Sequence, residues 1–219
     1  MALNKLKYNS LNVTPVANKA ISFDSDPDAL EATLGGGSMT FIKKLTASSS
    51  STLSFVDGSS DVVLDSTYKE YLFLFTNIHP SADNSAFQVN FSVDGGSNYN
   101  VTKTTSYFFA LHKEDGSNNN FAYSAGADLA QGTGNQQIAQ NIGNDNDQSV
   151  SGELTLFNPS STTFVKHFIA TTQMAELNEN TVNVFSAGYG NTTSAINAVK
   201  FQMDSGNIDA GTITLYGIN

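Results

Sequence analysis

The chain carries three histidines, His79, His112 and His167, and neither cysteine nor arginine. Three imidazoles converging from three segments would suit a zinc-type ion. Nothing in their spacing brings them together, and each reads as a hydrogen-bonded structural histidine. Without cysteine there is no thiolate nucleophile, no thiolate metal site and no disulfide. Without arginine there is no planar fork for carboxylate or phosphate. Serine is abundant, but no G-x-S-x-G elbow presents one to a base. Two acidic runs have oxygen ligands at alternate positions, as calcium loops do: Asp24, Asp26, Asp28, and Asp145, Asp147, Ser149 with Glu153 beyond. Pro27 interrupts the first, and Val150 stands where the second needs glycine, so both read as solvated turns. The expectation is a chain with no catalytic residue, no metal and no cofactor.

Recognition chemistry is better represented. Aromatic faces stack on the apolar faces of sugars while amides read the hydroxyls. Candidate contacts are Asn118, Asn119, Phe121 and Tyr123 in one Asn-rich loop, Tyr99 in a second, and Tyr189 with Asn191 in a third. The plainer reading of each is an Asn-rich turn over a packed ring. Ser92 to Tyr99 (SVDGGSNY) resembles the Asp-box hairpin of sialidases, in which the Asp caps the turn. One copy and no arginine exclude a sialidase, and the hairpin remains.

The elements that must carry these residues are strands. Ser, Asn and Thr number 26, 24 and 21 of 219 residues, and they favour turns and exposed strand faces. Fifteen Phe and eight Tyr supply a core. Phe87, Val89, Phe91 and Val93 alternate with polar residues, as in a half-buried strand. Residues 70–78 (EYLFLFTNI) are apolar on both faces and read as a central strand. Further strands are expected at 40–45, 52–56, 61–64, 107–112, 152–157, 164–171, 182–187, 198–203 and 212–218, and only 126–130 and 136–142, both short, have room for a helix. The fold class is therefore all-β, an antiparallel jelly roll or β-sandwich. Phe73, Phe75, Phe87 and Phe91 are expected between its sheets. The charge-free segment 212–219 is expected inside a sheet or covered by a neighbouring subunit.

Residues 1–38 differ in texture. They lack sustained periodicity and end in Gly35-Gly36-Gly37, a flexible tract. Their apolar points Leu6, Tyr8, Leu11, Val13, Ile21 and Phe23 suit an extended anchoring arm that orders against a partner. The expected division is arm and linker at 1–38 and β-sandwich domain at 39–219. A net charge of −10 repels phosphate backbones and anionic lipid, so neither nucleic-acid binding nor membrane insertion is expected. The opening MALNKLKYNS has no apolar core of a signal peptide.

Four stretches carry a family resemblance: STYKEYLFLFTNIHP (66–80), FQVNFSVDGGSNYNVTKTT (87–105), GNDNDQSVSGELTLFNPSSTTFVKHF (143–168) and GYGNTTSAINAVKFQMDSGNIDAGTITLYGI (188–218). They resemble a virion structural family of tailed bacteriophages of marine bacteria, cyanophages included, whose members are often tail-fibre-like. The opening MALNKLKYNSLN is similar to those of phage fibre-type proteins. The resemblance implies a non-enzymatic virion surface protein assembled in host cytoplasm, homotrimeric and in contact with other virion proteins. It implies a short tail-fibre or receptor-binding role with a host surface glycan as partner. The alternative is capsid decoration (cement or head fibre) on the major capsid protein.

Overall fold

The structure, a computed structural model, describes residues 20–23, 30–33 and 38–219. The chain divides into two compact units, Met1–Met39 and Thr40–Asn219. In the first, β1 (Ala20–Phe23) and β2 (Leu30–Thr33) pair antiparallel, Ala20 opposite Thr33 and Phe23 opposite Leu30. Ile21 and Phe23, expected in the anchoring arm, lie in β1. Leu6, Tyr8, Leu11 and Val13 lie outside the described residues, as do Asp24, Asp26 and Asp28.

The remaining strands are β3 (Met39–Thr46), β4 (Leu53–Val56), β5 (Glu70–Pro80), β6 (Ser85–Ser92), β7 (Lys103–Lys113) and β8 (Asn119–Tyr123). They continue with β9 (Gln136–Ile142), β10 (Val150–Phe157), β11 (Lys166–Glu176), β12 (Asn180–Gly190), β13 (Ala198–Met203) and β14 (Ile208–Ile218). No helix occurs among the described residues, so none is long and apolar enough to cross a membrane.

Hydrogen bonding arranges these strands in two layers. The larger runs β8-β7-β12-β11-β10-β5-β14-β3 and the smaller β9-β6-β13-β4. They join where Ile142 of β9 pairs with Glu176 at the end of β11, making one twelve-stranded, nearly closed antiparallel sheet. The fold is thus the expected all-β antiparallel sandwich. Its last strand lies inside the larger layer, between β3 and β5.

The core between the layers is aromatic. Phe73, Phe75, Phe87 and Phe91 are buried, as their alternation requires. Phe201 is the hub, with ring centroids 5.4 Å from Phe73, 5.2 Å from Phe75, 5.8 Å from Phe87 and 6.3 Å from Phe55. Most of these contacts are edge-to-face or tilted, the geometry the ring quadrupole favours.

Three expectations are corrected. Residues 136–142 form β9 rather than a helix, because burying Gln136, Ile138 and Ile142 against β6 outweighs weak local helix propensity. Residues 126–130 are turn and loop, not helix. Residues 61–64 are not a strand but part of a turn: Gly58 and Val62 bond back across it, and Leu64 N–H donates to Asp57 Oδ1 at 2.8 Å. Ser60 and Asp61 sit at φ 50° and 68°, which an extended strand does not permit.

Candidate functional site

Strand alternation decides which side chains leave the core. Tyr107 points inward on β7, so Phe108 points outward; Val184 points inward on β12, so Phe185 points outward. The register sets Phe185 opposite Phe108, and Phe108 opposite Tyr123 of β8. Phe108 and Phe185 stack with centroids 5.1 Å apart at 11°, and Phe121 meets Phe108 edge-on at 5.8 Å. Phe121 is 73% exposed and Phe185 41%. An aromatic row therefore crosses three strands on the outward face of the larger layer. Such cross-strand pairs stabilise the sheet by about 0.5–1.5 kcal/mol each. Phe121 and Phe185 remain exposed.

Below this row β11 contributes His167 and the half-exposed Ile169, and β12 contributes Tyr189, edge-on to His167 at 6.2 Å. At the far edge of the same layer Phe41 of β3 meets Tyr216 of β14 at 6.0 Å. Between these edges β5 presents half-buried Leu72 and Leu74, the second face of the segment that is apolar on both sides. The outward positions of β10 alternate Ser151, Glu153, Thr155.

Shallow depressions follow one another along β11. One is bordered by Ser106, His167, Ile169, Ala187 and Tyr189; the next by Leu74, Glu153, Thr171, Gln173 and Asn183; a third by Ser151, Gln173, Ala175 and Thr181. Gly152, at φ 156° beside a register shift in β10, lets the backbones close at the second. A Cβ there would lie 2.2 Å from the carbonyl oxygen of Thr171.

The structure brings Asn119, Phe121, Tyr123 and Tyr189 to this one face. The segment expected as an Asn-rich loop is corrected: Asn119–Tyr123 is β8, an edge strand, with only Asn118 left in its turn. Asparagine does not prevent pairing there because β8 pairs on one side only and its side chains are largely exposed. The Tyr123 hydroxyl donates to the Asp128 carboxylate, and this bond raises the phenol above its ordinary range. Asn191 stands at the end of β12, its Nδ2 donating to Gln131 Oε1 at 2.8 Å.

Tyr99 is elsewhere. It follows the Asp-box turn after β6 and lies with Lys200 of β13, whose Nζ is 4.9 Å from its ring centroid. That turn is built as its residues suggest. Asp94 Oδ1 accepts from Ser92 Oγ at 2.6 Å and from Asn98 N–H at 2.8 Å, and Oδ2 from Asn98 Nδ2 at 2.7 Å. These bonds hold the Asp94 carboxyl at about 2.

The metal and catalytic readings gain nothing. No cluster of three or more His, Asp or Glu able to hold a metal occurs among the described residues. His79 Nε2 meets the Asp145 carbonyl oxygen at 3.2 Å, whereas Glu153 stands mid-strand opposite Leu74 and Thr171. A cleft between β7, β9, β11 and β12 encloses about 70 Å³ beside Glu176, room for a few waters and too little for an organic substrate. Lys103 is fully buried; burial lowers its ammonium to about 8 while Nζ donates to Asn90 Oδ1 at 2.6 Å and to the Val101 carbonyl at 2.7 Å.

Sequence reasoning missed Phe108, Phe185 and Ile169, which carry the centre of the face. The signal was weak because Tyr107-Phe108-Phe109 is apolar in both phases.

No protein-family model, curated protein or solved structure matches this chain.

Proposed function

We propose that this chain is a virion surface protein of a tailed bacteriophage, a short tail-fibre or receptor-binding protein. On this reading the Met1–Met39 unit attaches it to the particle and the Thr40–Asn219 unit offers the outer face of its larger layer to a host surface glycan. The observation that carries the reading is the aromatic row Phe121–Phe108–Phe185, with Tyr189 and Tyr123 on the same face. Exposed aromatic side chains grouped on one face suit a binding surface, and flat rings framed by hydroxyls and amides suit sugars. The phage assignment comes from the sequence resemblance. No catalytic role, metal or cofactor is assigned, and self-association as a homotrimer belongs to the same reading. The repeated crossing of the chain between its two layers favours a jelly-roll kinship.

Capsid decoration is the second reading. It is favoured by the short spacing between arm and sandwich: only Ser38 separates the glycine tract Gly35–Gly37 from β3, which begins at Met39.

Labelled full-length protein should bind whole host cells and lose most of that binding with Phe185→Ala, the exposed member of the row that stands opposite Thr171 of β11. Cryo-EM of the particle should place the protein on the tail. Capsid-bound copies that do not bind host cells would select the decoration reading.

A further inference from the structure

The row of three shallow depressions along β11, called the β11 trough below, has a chemical character that narrows its ligand. From His167 to Ala175 the row spans about 27 Å at roughly 3.4 Å per residue. Its floor and walls alternate apolar surface (Ile169, Ala187, Leu74) with neutral donors and acceptors (Ser106, Thr171, Asn183). Glu153 is the charged side chain that faces the central depression, and Glu114 borders the far one. Neither lysine nor arginine lines any of the three depressions.

A sulfate, phosphate or carboxylate brought there would therefore find no lysine or arginine, and would meet Glu153 and a chain of net charge −10. A hydroxyl-only sugar meets no such cost. Its hydroxyls find amides and alcohols, and its ring faces find Ile169 and Tyr189. A second copy of this chain would bring another ten excess negative charges to the same place.

We infer that the β11 trough binds a neutral, linear oligosaccharide laid parallel to the strand, and rejects anionic glycans. The inference rests on the glycan reading above and names the class of sugar.

The test uses the full-length protein in moderate salt against immobilised neutral glucans, mannans and galactans, and against alginate, carrageenan and sialylated glycans. Binding is expected to a neutral glycan alone. It should weaken about tenfold with Tyr189→Ala, the loss of one aromatic contact, and with Ile169→Lys. Tyr99→Ala, on the other layer, should bind as the parent does. Thermal melts of each variant separate loss of contact from loss of fold. Binding of anionic glycans as tightly as neutral ones overturns this inference and leaves the host-glycan reading standing. Neutral binding indifferent to Tyr189→Ala and Ile169→Lys overturns the placement in the trough. If no glycan binds and Ile169→Lys instead abolishes self-association, a second copy occupies the face and both readings fall.

Discussion

Lys103 opens β7 with no exposed surface, and no carboxylate pairs with it among the described residues. Its ammonium is lowered to about 8 by burial. The unfolded chain keeps that proton to about pH 10.4, so between roughly pH 8 and 10.4 unfolding takes up a proton and stability rises with pH. The span corresponds to about 3 kcal/mol. Tyr71, raised by burial to about 12, and Tyr107, also raised by burial, act oppositely. Their unfolded forms ionise near pH 10, so stability falls above it. Urea melts should show a maximum between about pH 9 and 10. Lys103→Met should flatten the rise while keeping the fall; a rise that survives the substitution would place its origin elsewhere. At the acid end, Asp94 is held at about 2, so its contribution is present above the ordinary carboxylate value and lost as pH falls toward 2. Asp94→Asn should lower the melting temperature at neutral pH and reduce its slope with pH in that acid window.

Among the elements, the Phe201 cluster ties β13 and its neighbour β6 to β5 across the layers. Phe201→Ala removes the shared partner of Phe55, Phe73, Phe75 and Phe87 and should cost about 3–5 kcal/mol, read by denaturant titration. A cost below about 1 kcal/mol would mean that the cluster collapses around the gap. This part of the fold was legible because β6 and β13 are apolar in one phase, so alternation alone orients them. The outer face was less legible for the same physical reason inverted. In residues 70–78 and 107–109 both phases are apolar, and inward and outward sides depend on register with β10 and β12, which lie far along the chain. The segments 119–123 and 136–142 were misread because amide-rich composition signals loop or helix locally, whereas pairing with β7 and β6 is decided by tertiary contacts. The half-buried Leu72 and Leu74 show the limit of reading a doubly apolar segment as fully covered. It is central in its sheet, but one face has no second layer of the Thr40–Asn219 unit over it.

At the scale of the molecule, removing residues 1–38 should leave the Thr40–Asn219 unit folded and soluble, because all twelve strands of its sheet lie beyond that point. The truncated protein should fail to enter virions; normal occupancy would show that attachment lies in the sandwich. Sedimentation of the full chain should reveal a trimer that weakens modestly at low salt, since screening relieves repulsion between chains of net charge −10. A strictly monomeric species at high concentration in moderate salt would leave assembly to the virion lattice. The place of β14 between β3 and β5 has a further consequence, for synthesis. A ribosome delivers β3 and β5 early, yet their shared neighbour is not available until residue 218 has been made. Until then both present unpaired edges, and the Ser50–Ile208 bridge beside them is equally out of reach. The sandwich therefore cannot close before residue 218 has left the ribosome. Its nascent form is exposed to strand-to-strand aggregation among copies made together, a window that hold-type chaperones or slow expression should narrow.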